Sequence, residues 1–183
     1  MSKNTSITFW GGVGSVTGAN FLLEGEGFRA LIDCGILQGE SDADEKNRDD
    51  FPYDVTSIDF LFITHAHMDH IGRIPKLVKD GFKGVIFSTL ATKEIASLML
   101  ADAARIIDSD ARKEGILPSY SPGDVSKAFS LWKTIPYHTD TKIAEHLSVH
   151  LKDAGHILGS SQYIFTVSDT SGHSKNILFA GDL

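Results

Sequence analysis

Apolar and polar positions alternate with a period of two toward both ends of the chain and recur near every 3.6 residues through its middle, so strands are expected to frame a helical centre. Thr5 to Gly11 has the β-branched and aromatic content of a strand. Asn20 to Glu24 and Phe28 to Asp33 read as a hairpin turned at Gly25-Glu26-Gly27. Asp59 to Ile63 and Val85 to Ser88 are short apolar runs of buried-strand type. Between them Ile71, Ile74, Leu77 and Val78 recur at helical spacing over 71–80, with Pro75 in the first turn and Gly81 as the stop. Strand, helix and strand at this spacing predict a crossover unit. The longest helix is predicted over Ala91 to Glu114, with Ile95, Met99, Ala103, Ile106 and Ile107 on its core face. Ser121-Pro122-Gly123-Asp124 then caps a second helix that carries Val125, Ala128, Phe129 and Trp132. From Lys142 the period returns to two, giving strands over 143–152, 162–167 and 176–183. The acid-rich stretch Gln38 to Ser57 reads as a solvated excursion, since its acids lack the spacing and central glycine of an EF-hand. No repeat or linker divides the chain.

Composition adds bounds rather than an identity. At 183 residues, 42% of them hydrophobic, the chain is long enough to bury a sizeable core. No apolar run approaches the roughly 20 residues of a membrane span, and Met1 to Ser6 lacks the apolar stretch of a signal peptide. The single cysteine, Cys34, excludes an intramolecular disulfide, fits a cytoplasmic location and reads as packing. A net charge of −7 argues against a broad phosphate-binding surface, although bound metal ions would supply local positive charge that residue counting misses. The run Gly11 to Gly18 holds four glycines in eight residues but neither the lysine of a P-loop nor the GxGxxG spacing, so it reads as a turn near the active site.

The chemistry concentrates in Thr64-His65-Ala66-His67-Met68-Asp69-His70, directly behind the strand 59–63. Residues two apart in extended chain point the same way, so His65 and His67 can grip one ion. Once the chain turns into the following helix, Asp69 and His70 swing toward a neighbouring position, and one motif can serve two metals. His156 and Asp182, each preceded by glycine at the tip of an apolar strand, offer the remaining donors. Asp33 ends a buried strand, where a carboxylate can ligate, orient a ligand from behind, or cap a turn; the orienting and turn roles are expected. His138, His146, His150 and His173 read as surface residues.

The Thr64–His70 stretch resembles the HxHxDH signature of the metallo-β-lactamase superfamily, and Asp33, His156 and Asp182 match its other motifs in order. Gly-Ser-Val-Thr-Gly-Ala-Asn-Phe-Leu-Leu, Leu-Ile-Asp-Cys-Gly, Gly-Phe-Lys-Gly-Val-Ile-Phe-Ser-Thr-Leu-Ala-Thr and Asp-Ala-Gly-His-Ile-Leu-Gly-Ser are similar to the β-CASP branch of RNA-processing nucleases. The resemblance implies an α/β fold, the αββα sandwich, with 1–183 forming its N-terminal half: a mixed β-sheet with helices outside. It implies two zinc ions, the first held by His65, His67 and His156, the second by Asp69 and His70, with Asp182 bridging and Asp33 orienting. Asp69 would also hold the attacking hydroxide in line, and RNA would be the substrate of the complete protein. The family pattern continues past Asp182 with a β-CASP domain and the second half of the sandwich, which carries a further metal-binding histidine. Residues 1–183 are therefore expected to be a partial domain with little nuclease activity alone, its open sheet face a candidate for homo-oligomer contact. A hydrolase of a small ester or thioester, and a non-catalytic metal-binding or assembly module, are the competing readings.

Overall fold

A computed structural model of the chain describes residues 4–39 and 41–183. Met1–Lys3 of the N-terminal stretch and Glu40 of the acid-rich excursion lie outside the described residues. Two sheets stack face to face. The first takes its six strands in chain order: β1 (Ser6–Gly11), β2 (Asn20–Gly25), β3 (Phe28–Ile32), β4 (Phe60–Phe62), β5 (Val85–Ser88) and β6 (Trp132–Thr134). It is antiparallel from β1 to β3 and parallel from β3 to β6. The second is an antiparallel meander of β7 (Thr141–Ala144), β8 (Leu147–Asp153), β9 (Ser161–Ser168) and β10 (Ser174–Phe179). The helices are α1 (Ala43–Arg48), α2 (Met68–Ile71), α3 (Ile74–Lys79), α4 (Leu90–Glu114) and α5 (Pro122–Ser130).

Side-chain alternation builds the layers. On β3 and β4, Ala30, Ile32 and Phe62 point between the sheets, while Leu31, Leu61 and the following Ile63 point to the helices. The inter-sheet layer is closed from the other side by Leu147, Val149, Leu151, Tyr163, Phe165 and Val167, every second residue of β8 and β9. Phe62 joins the two sheets, stacked on Phe87 at 5.4 Å and edge-on to Phe165 at 4.9 Å. Burying such a ring fully contributes about 1.5–3 kcal/mol. On the far side of the first sheet, Leu77 and Val78 of α3, Ala96, Leu100 and Ala104 of α4, and Val125 and Ala128 of α5 complete a second core. The order is helices, sheet, sheet.

Four elements differ from the expectation. The helix predicted over 71–80 starts earlier and is split: α2 opens at Met68, and α3 resumes at Ile74 after a break at Gly72-Arg73. The buried stripe of α4 is Thr92, Ala96, Leu100 and Ala104, so Met99, 40% exposed, and Ile106 are not core. Small residues at Thr92, Ala96 and Ala104 let this helix lie close to the sheet, and Ile95 and Ile107 pack at the margin of the contact. Trp132 is not in a helix: α5 stops at Ser130, and Trp132 enters β6, stacked on Phe129. The strand predicted over 143–152 is a hairpin, turning at Glu145-His146 between β7 and β8.

Candidate metal centre

The ends of β3, β4, β8 and β10 lead into one edge of the sandwich, and each delivers donors there. Leaving β4, the chain is extended through Thr64–His67 and then turns into α2. His67 has extended dihedrals (φ −72°, ψ 150°), as residue spacing requires for His65 and His67 to aim together. The carbonyls of this short turn are strapped from behind. Ile36 N–H donates to Met68 O (3.1 Å), Ala19 N–H to Asp69 O (2.9 Å) and Cys34 N–H to His70 O (2.8 Å). Gly35 is obligatory at this crossing, because a Cβ there would sit 1.6 Å from Asp69 O. The His156 loop is fastened too. Thr89 and Thr92 hydroxyls reach Gly159 O at 2.7 and 2.8 Å, and Tyr137 Oη donates to Ser160 O (2.7 Å). Gly181, at φ +62°, brings the chain before Asp182 against Thr64, where a Cβ would meet Thr64 Cβ at 2.9 Å.

The donors fall into two groups that share one carboxylate. His67 Nδ1 lies 3.1 Å from Nε2 of both His65 and His156. Asp182 Oδ2 is 3.9 Å from His65 Nε2 and 3.7 Å from His156 Nε2, and all four donors lie within 4.8 Å of one another. Ligands of a tetrahedral zinc at ~2.05 Å are about 3.3 Å apart, so this set fits one such ion. The other carboxylate oxygen, Asp182 Oδ1, is 3.5 Å from His70 Nε2, which is 3.9 Å from Asp69 Oδ2. Imidazoles with carboxylates suit a divalent transition metal.

Asp33 stands behind the donors rather than among them. Buried, at φ +59°, it accepts from Thr64 N–H and Thr64 Oγ1, both at 2.8 Å, and from His70 Nδ1 at 2.8 Å. A carboxylate only accepts, so His70 carries its proton on Nδ1 and, when neutral, turns a bare Nε2 to the centre. Thr64 Oγ1, having spent its hydrogen on Asp33, accepts from His65 Nδ1 (3.1 Å), and His65 Nε2 is left free in turn. Thr64 is the residue that sequence reasoning left without a role; the only sign was its place directly before the first histidine. Burial, helped by the neighbouring His70, pulls the His65 imidazole down to about 4 against the opposing pull of Asp33 and Asp182. Burial also lowers His70, but the Asp33 charge and hydrogen bond outweigh it, and its pKa is raised. Cys34 is fully buried, its thiol pushed up to about 12 chiefly by burial. His138, His146, His150 and His173 lie outside the donor cluster.

The profile of the metallo-beta-lactamase superfamily domain matches residues 22–182. Among curated relatives, Ribonuclease TTHA0252 of Thermus thermophilus is 33% identical over 177 residues, covering 97% of this chain and 37% of that protein. Transcription termination factor FttA of Cenarchaeum symbiosum is 33% identical, with 97% of this chain and 27% of the relative covered. Cleavage and polyadenylation specificity factor 73 of Drosophila melanogaster is also 33% identical, with 93% and 24% covered. The chain thus spans 37% or less of these proteins' lengths. Among solved structures, the metallo-beta-lactamase SMB-1 superimposes with a TM-score of 0.54 at 16% identity, covering 97% of this chain and 61% of that one. A protein of unknown function from Enterococcus faecalis gives 0.58 at 17% identity, with 99% and 44% covered. At these identities the likeness shows the shared fold.

Proposed function

The chain belongs to the metallo-beta-lactamase superfamily, and from that membership we propose that it carries the two-zinc centre of a β-CASP-type ribonuclease that hydrolyses RNA phosphodiester bonds. The observation that carries the proposal is Asp182, whose two oxygens face two separate donor groups. In this reading His65, His67 and His156 would hold the first ion and Asp69 and His70 the second, with Asp182 facing both groups. Bound zinc acidifies water to near neutral pH and draws charge from a phosphate. The chain's own residues do the rest. Asp69, on α2 with its Oδ2 3.9 Å from His70 Nε2, would accept a hydrogen bond from the attacking water and keep it in line with the leaving oxygen. Asp33 and Thr64 fix the tautomers that leave His70 and His65 able to ligate. With a net charge of −7 the chain brings no overall positive field to a phosphate, and bound ions would supply local positive charge.

RNA as substrate rests on the relatives, one named a ribonuclease and another a cleavage and polyadenylation factor. Because those proteins are longer, residues 1–183 are proposed to be part of the metallo-β-lactamase domain, with cleavage a property of the longer protein. The test is metal analysis of this chain beside cleavage assays of a longer protein containing it, on RNA and on small esters and thioesters. The proposal expects bound zinc and RNA cleavage that Asp69→Ala and Asp182→Ala abolish. Preference for a small ester, with RNA untouched, would overturn it.

A further inference from the structure

Beside the donor cluster, the glycine-rich run forms a loop pinched at its neck: a Cβ on Gly11 would lie 1.9 Å from Gly18 O. Gly12 and Val16 of this loop line a cavity of about 260 Å³ with Asp33, Thr64, His70 and Asp182. Phe9 to Asn20 contains no charged residue, so this wall brings no cationic side chain to a phosphate. It offers apolar surface: Trp10 is 42% exposed, Val13 64% and Val16 94%. Trp10 is nonetheless held in place. Its ring packs 6.0 Å from Tyr53, Tyr53 lies 5.5 Å from Phe51, and the Arg73 guanidinium sits 4.2 Å over Phe51. Asn20 Nδ2 ties this ladder to the centre, lying 3.1 Å from Tyr53 Oη and 3.4 Å from Asp33 O.

We infer that Trp10 is a stacking platform for a nucleobase next to the scissile phosphate of a single-stranded polynucleotide. The division of labour follows from the chemistry at each place. The centre, with its ions, takes the phosphate, and an uncharged aromatic wall takes a base, whose π-face needs no cation. A ring already packed on Tyr53 loses little freedom when a base settles on its open side, so stacking there is effective. Sequence preference at this position would be weak, because every base has a π-face. The inference rests on the polynucleotide reading above, and the test separates the two.

The chain has two tryptophans, and the other, Trp132, is buried with its Nε1 donating to Ser88 Oγ (2.9 Å). In a Trp132→Phe background, fluorescence therefore reports Trp10 alone. The zinc-loaded protein is titrated with a cleavage-resistant phosphorothioate oligoribonucleotide of about eight nucleotides. Saturable quenching is expected, and an abasic chain of equal length should give none. Trp10→Ala, with zinc content and unfolding midpoint checked, should weaken oligonucleotide binding roughly 5- to 150-fold, and Trp10→Phe should restore most of it. Equal binding by Trp10→Ala, or equal quenching by the abasic chain, would overturn the stacking role while leaving the polynucleotide reading intact. Quenching that tracks protein concentration would assign the patch to a contact between copies and also overturn it. No oligonucleotide binding by a zinc-replete protein would bring down the polynucleotide reading, and the platform with it.

Discussion

Replacing Asp33 by Asn removes one charge and nearly no volume, yet it should disable the second donor group. The amide oxygen must stay on the Thr64 N–H, 2.8 Å away, because the opposite orientation would set donor against donor. Its NH₂ then faces His70 Nδ1, where the carboxylate oxygen stood at 2.8 Å. Two donors cannot share that contact, so neutral His70 must move its proton to Nε2, the atom 3.5 Å from Asp182 Oδ1. Loss of the partner behind a ligating histidine typically costs 10–100-fold in metal affinity, about 1.4–2.7 kcal/mol. Loss of a hydrogen bond to an ionised group costs about 1.5–3 kcal/mol of folding stability. For a chain of this size that lowers the midpoint of thermal unfolding by roughly 3–12 °C. Chelator competition would resolve the two ions, and long-range ¹⁵N–¹H NMR would report the His70 tautomer. The expected result is selective weakening of an ion at Asp69 and His70, with Nε2 protonated and Nδ1 bare in the metal-free variant. Unchanged affinity for both ions, or equal loss of both, would show that Asp33 does not set the His70 tautomer for metal binding.

Three other outcomes follow from the same geometry. Thr64→Val keeps the shape but removes the donor to Asp33 and the acceptor for His65 Nδ1; differential scanning calorimetry should show a loss of about 1–3 kcal/mol, with weaker uptake of the first ion. Gly35→Ala forces a methyl into Asp69 O, and because the strap on α2 must open, metal affinity should fall with the fold largely kept, which circular dichroism and chelator titration would check. The raised pKa of His70 means that the metal-free centre keeps a proton there to higher pH than a free histidine would, whereas His65, pulled down to about 4, holds none at neutral pH. Zinc binding should therefore release a proton from His70, and affinity should rise with pH until His70 is neutral; calorimetry in buffers of different ionisation enthalpy measures this.

The gathering of His65, His67, His156 and Asp182 was legible because each follows an apolar strand in a short, unusual run, and the strand ends converge in the fold. Asp33 was legible only as one of several roles, since its value lies in three hydrogen bonds that spacing does not encode. Thr64 was not legible as a relay at all: its function depends on which partner takes its single hydrogen. The face of α4 was read only in part: Ile95 and Ile107 pack against the margin of the core, but Met99 and Ile106 are exposed, because the helix turns Thr92, Ala96, Leu100 and Ala104 to the sheet. The β7–β8 turn was hidden because Glu145-His146 holds no glycine, proline or asparagine to mark it; the one sign was Glu145 on the apolar register of Ile143, Leu147 and Val149. Trp132 fits the helical period of α5 but leaves it after Ser130, where its indole finds Ser88 Oγ as a partner in the sheet.

If Asp182 joins two ion sites, anomalous diffraction from zinc-soaked crystals, collected above and below the zinc edge, should show two peaks about 3.5–4 Å apart, one enclosed by His65, His67 and His156, the other by Asp69 and His70, with one Asp182 oxygen on each. Peaks away from these residues, or an Asp182 that touches neither ion, would contradict it.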